Sequence, residues 1–323
     1  MDAFASKPFS GNPAAVCLLP KHVLPLSDDI RQAIAAENNL SETAFVEECS
    51  DCQRETCEGE SGFDENQETY LLRWFTPIKE VPLCGHATMA AAAVLLSLPG
   101  RTVPAGRDRP LRFITQSGPL IVSSTLNDAT NHSKERRQLA MELPLLPGTA
   151  CVPPGLGPES PVVEAALGGL QTMGAKFEVQ VFYQPFLKYL MVVLLQDGQD
   201  SALSQEEFER YHPDAPGLKN AASVGDLIGV IVTMAAPLGS QYDFVSRFFA
   251  PWAGIDEDPV TGSAHSVLGP YWAARLGTAE LSARQCSSRG GNLYLTVKSD
   301  EDKVVVRGDA VIVIAGELHL PDS

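Results

Sequence analysis

The stretch PLCGHATMAAAAVLL (Pro82–Leu96) sets Cys84 and His86 on either side of a glycine, directly ahead of an alanine-rich run. Read alone it leaves three possibilities open: a nucleophile with its base, a metal site, or a tight turn feeding a buried helix. A second stretch, DEDPVTGSAHSVLGPYW (Asp256–Trp272), decides among them because it repeats the first. Arg73-Trp-Phe-Thr-Pro77 precedes the first stretch and Arg247-Phe-Phe-Ala-Pro251 the second, each a run of arginine, aromatic, phenylalanine, small residue and proline. Gly-x-Ala follows 8 residues after the first proline and 11 after the second, at Gly85-His86-Ala87 and Gly262-Ser263-Ala264. A helix-compatible run of small and apolar residues comes next in both.

The parallel extends downstream. LRFITQSGPLIVSS (Leu111–Ser124) matches LSARQCSSRGGNLYLTV (Leu281–Val297): serine, then glycine, then apolar residues alternating with period two, a strand signature. Ordered agreement over three elements points to an internal duplication with a period near half the chain. The expected architecture is α+β, with two pseudo-symmetric lobes, each a curved mixed β-sheet or barrel around one central helix. The boundary is expected in the Pro/Gly-rich connector PLLPGTACVPPGLGPES (Pro144–Ser160), giving lobes 1–145 and 146–323, with the final strands packing back onto the first lobe.

Composition narrows the function classes. The 323 residues carry 24 Lys+Arg against 40 Asp+Glu, a net charge of −16. Such a surface repels phosphate backbones and anionic lipid, so neither nucleic acid nor membrane is an expected partner. No apolar run approaches the roughly 20 residues of a spanning helix. An odd count of 7 cysteines fits a reducing, cytoplasmic setting better than a disulfide framework. Cys49-x-x-Cys52 resembles half a zinc site, but it opens a strongly acidic run (Glu47–Glu68) with no second ligand pair nearby, so a solvated loop is expected there.

The two glycine turns carry the chemistry. A glycine at a helix start frees first-turn N–H groups, which with the helix dipole hold carboxylates or developing oxyanions. Gly85 and Gly262 could equally serve close packing of buried helices. No glycine-rich nucleotide loop is present, and single histidines without partners at ligand spacing argue against a metal, so neither cofactor nor metal is expected.

At these blocks the chain resembles the phenazine biosynthesis-like (PhzF) family, and within it the animal phenazine biosynthesis-like domain-containing branch. The resemblance is carried by FSGNPAAVCLL (Phe9–Leu19), NLSETAFV (Asn39–Val46), WFTP with EVPLCGHAT (Trp74–Pro77, Glu80–Thr88), DEDPVTGSAHSVLGPYW and QCSSRGG (Gln285–Gly291). It implies the fold of diaminopimelate epimerase, an inter-lobe active site, a homodimer, and cofactor-independent isomerisation of a small carboxylate by moving a proton and shifting a double bond. By the same resemblance the catalytic glutamate is Glu42 in the SETAF block, the site histidine is His86, and the second turn supplies Asp258 and Ser263. Asn12, Ser41, Gly85 and Gly262 are expected to bind substrate.

Proton transfer beside a carbonyl needs a base, an acid and donors for the enolate-like intermediate. Epimerase relatives use two cysteines, one per helix start; here the second turn has none, which disfavours a two-thiol racemase and leaves Cys84 as a positional remnant. Glu42 is then the expected base, with partial burial expected to raise its pKa toward neutrality. Its alternative is a helix-capping acid, which the β-like run Ala44-Phe45-Val46 weakens. Capping and packing roles are the alternatives for His86, Asp258 and Ser263, and His265 is expected to pack. The rival function is a non-catalytic interaction protein that kept the fold; retention of Glu42, His86, Asp258 and Ser263 together favours the enzyme.

Overall fold

A computed structural model describes residues 1–20, 25–49, 68–99, 110–126, 137–171, 177–196, 203–222 and 227–320. Cys52, Cys57 and most of the acidic run lie outside the described residues. The chain forms two compact units, one of Met1–Met141 with Gly308–Ser323 and one of Glu142–Arg307.

The first unit holds strands β1 (Asp2–Ala3), β2 (Asn12–Leu19), β3 (Glu42–Glu48), β4 (Glu68–Phe75), β5 (Glu80–Val81), β6 (Leu111–Thr115), β7 (Gly118–Leu126), β8 (Arg137–Pro144) and the returning β16 (Ala310–Val311). Their order is β16-β1-β2-β3-β4-β6-β7-β8, with β5 beside β4. Helix α1 (Asp28–Asn38) is stopped at both ends by its sequence: the Ser27 hydroxyl accepts the Ile30 N–H, and Asn39 takes a left-handed φ of 46°. Helix α2 (Gly85–Ser97) is buried nearly all round because alanine fills five of its positions, and it touches β1, β2, β3, β7 and β16. A helix with so little side-chain bulk lets strands approach from several directions, and the sheet curves around it.

The second unit runs β15 (Lys303–Gly308), β14 (Gly291–Lys298), β13 (Glu280–Gln285), β12 (Phe244–Phe249), β11 (Gly229–Ala235), β10 (Tyr189–Leu195) and β9 (Glu178–Gln184) across its sheet. Strand β10, YLMVVLL, is apolar throughout and buried on both faces. Helix α3 (Pro161–Gln171) precedes β9. Short helices α4 (Gln205–Arg210) and α5 (Ala215–Ala221) lie between β10 and β11, and α6 (His265–Leu276) packs on β13 and β14. An apolar core of Leu167, Leu170, Phe208, Leu218, Val232 and Phe249 joins the α3–α5 layer to the sheet.

The duplication is explicit in strand sense. In the first unit β2 pairs β3 parallel, β3 pairs β4 antiparallel, β4 pairs β6 parallel and β6 pairs β7 antiparallel. In the second, β10–β11, β11–β12, β12–β13 and β13–β14 repeat that series. The central helix falls at the same place in both, α2 between β4 and β6 and α6 between β12 and β13. Two lobes of mixed sheet, each with a central helix, are therefore the observed α+β architecture.

Candidate active site

Glu42 is the first residue of β3 and His86 the second of α2. The side chains meet because α2 packs on β3. Glu42 Oε2 stands 3.2 Å from His86 Nε2, within ion-pair reach, both side chains being about nine-tenths buried. The alignment is not that of a hydrogen bond, and Oε2 has no hydrogen-bond partner. On the ring's other edge His86 Nδ1 lies 3.4 Å from Cys84 Sγ. Ser41 Oγ stands 3.4 Å from His86 Nε2, donates to the Pro13 carbonyl at 3.1 Å and reaches Asn12 Oδ1 at 3.5 Å. The first unit thus gathers Asn12, Ser41, Glu42, Cys84 and His86 into one polar cluster.

The electrostatics differ from expectation at Glu42. Burial pushes its pKa up, but the charge of His86, with polar help from Ser41 and Cys84, outweighs burial and holds the carboxyl below its ordinary value. The expected rise toward neutrality is therefore corrected: a cationic partner at 3.2 Å competes with desolvation and wins. Burial opposes the imidazolium in turn, yet the sulfur of Cys84 and the carboxylate of Glu42 raise His86 well above its ordinary value. Cys84 is raised, chiefly by burial and then by the Glu42 charge, so it is a thiol at neutral pH. Glu42 and His86 thus draw each other toward their charged forms, while Cys84 is drawn toward its protonated one.

Cys84 is buried with its sulfur against the His86 ring. Gly85 is the first helical residue rather than a turn before the helix. A Cβ there would meet only the Met141 methyl, at 3.1 Å. His86 does not cap α2: the N-cap is Cys84, without a side-chain cap, and Thr88 Oγ1 takes the Cys84 carbonyl at 2.6 Å. The sequence argument that no histidine has partners at ligand spacing also falls, because β3 supplies one from far upstream.

In the second unit α6 begins only at His265, three residues past Gly262. The delay comes from a turn tied by side chains. Buried Asp258 accepts a very short hydrogen bond from Thr261 Oγ1. Gln285, fully buried, accepts the Thr261 N–H at 2.8 Å and donates to the Asp258 carbonyl at 2.7 Å. Ser263 Oγ lies 3.0 Å from the Tyr189 hydroxyl and does not cap α6, whose N-cap is Ala264. Gly262 offers its carbonyl to the His265 N–H at 3.0 Å. His265 is buried against Phe244 with Nδ1 2.9 Å from the Thr261 carbonyl, and burial depresses its pKa to about 4. Thr261 and Gln285 stand inside the blocks DEDPVTGSAHSVLGPYW and QCSSRGG, whereas nothing local in the sequence marks Tyr189.

Fold and site together set a buried carboxylate against a histidine ring on a duplicated α+β scaffold. The chain belongs to the PhzC-PhzF family of phenazine biosynthesis-like proteins, whose family model matches residues 1–316. It is 38% identical over 320 residues to a phenazine biosynthesis-like domain-containing protein of Bos taurus, covering 98% of this chain and 96% of the relative. An uncharacterized isomerase of Pseudomonas aeruginosa is 40% identical over 320 residues, covering 99% of this chain and 97% of that one. The crystal structure of a PhzF-family phenazine biosynthesis protein from Enterococcus faecalis superposes with a TM-score of 0.72 at 37% identity, covering 99% and 97% of the two chains.

Proposed function

We propose that this protein is an isomerase that moves a proton on a small carboxylate, with a shift of a double bond, using its own side chains for acid–base catalysis and no cofactor. The observation that carries the reading is the Glu42–His86 pair at 3.2 Å. Glu42 enters the reaction already ionised and takes the proton from the substrate carbon. His86 enters protonated, stabilises the negative charge that develops on the adjacent oxygen and supplies a proton. Ser41 and Asn12 lie where they can hold the substrate's polar groups beside this pair. In the second unit Ser263 Oγ pairs with the Tyr189 hydroxyl at 3.0 Å, and Asp258 acts by fixing the turn that carries Ser263. Relatives named as isomerases support the class of reaction.

A two-thiol racemase gains nothing here, because Cys84 is a thiol at neutral pH and the second turn, Asp258–Ala264, has no cysteine. The test is solvent-proton exchange into a panel of small carboxylates, followed by NMR in D2O. Turnover should carry deuterium into the substrate, and Glu42→Gln should lower that exchange by roughly 10²–10⁴-fold. Undiminished exchange in the Gln variant would remove Glu42 from the mechanism.

A further inference from the structure

Among the described residues, one cluster offers three metal-ligand atoms at bonding reach of one another: Glu42, Cys84 and His86, with a carboxylate oxygen, the thiol sulfur and a ring nitrogen all within 4.8 Å. The acid–base reading leaves the sulfur unused. Two observations bear on a ligand. The contacts at 3.2 Å to Glu42 and 3.4 Å to Cys84 are made by different ring nitrogens, Nε2 and Nδ1, so it is the clustering of one atom from each residue within 4.8 Å that brings the donors within reach of one ion. Glu42 Oε2, deeply set, lacks a hydrogen-bond partner. The donor set itself, one sulfur, one imidazole and one carboxylate, is the mixed soft and borderline set that suits zinc rather than magnesium or calcium.

We propose that Glu42, Cys84 and His86 form a binding site for one thiophilic divalent cation of the zinc type, and that its occupancy switches the acid–base pair off. Cys84 and Glu42 each contribute one negative charge and His86 one neutral ring nitrogen, so a dication is neutralised by its protein ligands. The thiol proton and the imidazolium proton pass to solvent on binding, and affinity therefore rises with pH. His86 supplies only one of its two nitrogens, so the ion replaces the present Glu42–His86–Cys84 bridging rather than adding to it. With three protein ligands the fourth position stays open, and the bound ion holds the base and the acid that turnover needs. Only this inhibitory consequence rests on the proposed isomerase activity; the binding does not.

The experiment is a cobalt(II) titration of the full-length protein followed by absorption, with zinc then added as competitor. One equivalent of cobalt should raise a thiolate-to-metal charge-transfer band that zinc abolishes. Cys84→Ser should lose the band. Glu42→Gln and His86→Gln should weaken binding by about tenfold or more. Cys151→Ser, and a variant with both Cys49 and Cys52 replaced by serine, should titrate as the parent does. Far-UV circular dichroism checks that each variant is folded. X-ray absorption of the zinc-loaded parent provides a second readout free of mutation and should show one sulfur with nitrogen and oxygen neighbours. Absence of a saturable band, a band that survives Cys84→Ser, or a zinc shell with no sulfur or with several would overturn the site. Deuterium exchange measured without metal tests the isomerase separately, so loss of one reading is distinguishable from loss of the other.

Discussion

Glu42 Oε2 and His86 Nε2 lie 3.2 Å apart, one from the start of a strand and the other from the first turn of a buried helix. Each shifts the other in the direction that keeps both charged. In the proposed isomerase this pair would divide the work of proton transfer, Glu42 as the acceptor and His86 as the donor.

Exchange activity should form a broad plateau across neutral pH. The sign follows from the two shifts: Glu42 is held below its ordinary 4.5 and His86 well above 6.5. The acid limb therefore lies below pH 4.5 and the alkaline limb well above pH 6.5. In His86→Gln the residual activity should lose its alkaline limb. Its acid limb should move upward, because burial then acts on Glu42 without the opposing cation. A pH profile of solvent exchange for both proteins checks this, and an unmoved acid limb would contradict the coupling.

His265 should make the protein less stable as pH falls. Its folded pKa of about 4 against an ordinary 6.5 means the unfolded chain takes up the proton first. The neutral ring's contribution is complete above pH 6.5, is lost as pH drops toward 4, and amounts to about 3 kcal/mol in full. Urea unfolding at a series of pH values should show this slope in the parent and a shallower one in His265→Asn. Equal slopes would mean that the ring is hydrated in the folded state.

Gly11 sits beside Asn12 with a φ of +67°, and a Cβ there would fall 2.1 Å from the Ala3 carbonyl oxygen and 2.8 Å from the Ala5 Cβ. Backbone cannot yield as a flexible side chain would. Gly11→Ala should therefore destabilise the protein by about 2 kcal/mol or more, combining left-handed strain with the clash. Chemical denaturation measures it; a change within experimental error would show that the β1–β2 turn is loosely held.

Gln285→Leu keeps the volume and removes three hydrogen bonds to the second turn. The Thr261 N–H and the Asp258 carbonyl then lose their buried partner. A loss of about 2 kcal/mol or more is expected, since each unmatched buried group costs about 1–3 kcal/mol. Calorimetry on the purified variant reads it, and a value near zero would mean that water replaces the amide.

The sequence carried the repeat because strands and helix starts leave local marks. Arg73-Trp-Phe and Arg247-Phe-Phe do fall on corresponding strands, β4 and β12, and Glu42 opens a strand as the run Ala44-Phe45-Val46 suggested. What stayed hidden depends on packing between distant segments. The direction of the Glu42 shift could not be read without placing His86 beside it. The sequence reads Cys84 as a remnant because the second turn has no cysteine, and its contact with His86 shows only in the folded chain; the late start of α6 likewise depends on Gln285 reaching back to Thr261 from another strand. Tyr189 lies at the edge of an apolar strand, and only the fold turns its hydroxyl to Ser263.

The pairing of Asp2 with Val311 and of Ala3 with Ala310 has a consequence for the order of synthesis. Glu142–Arg307 leave the ribosome as one uninterrupted block that carries β9 to β14. The unit that carries Glu42 and His86 was translated earlier, yet it waits for β16, which closes on β1 and touches α2, before its sheet is complete. The later half can therefore mature first, and the unit that carries Glu42 and His86 closes its sheet only once β16 has been made.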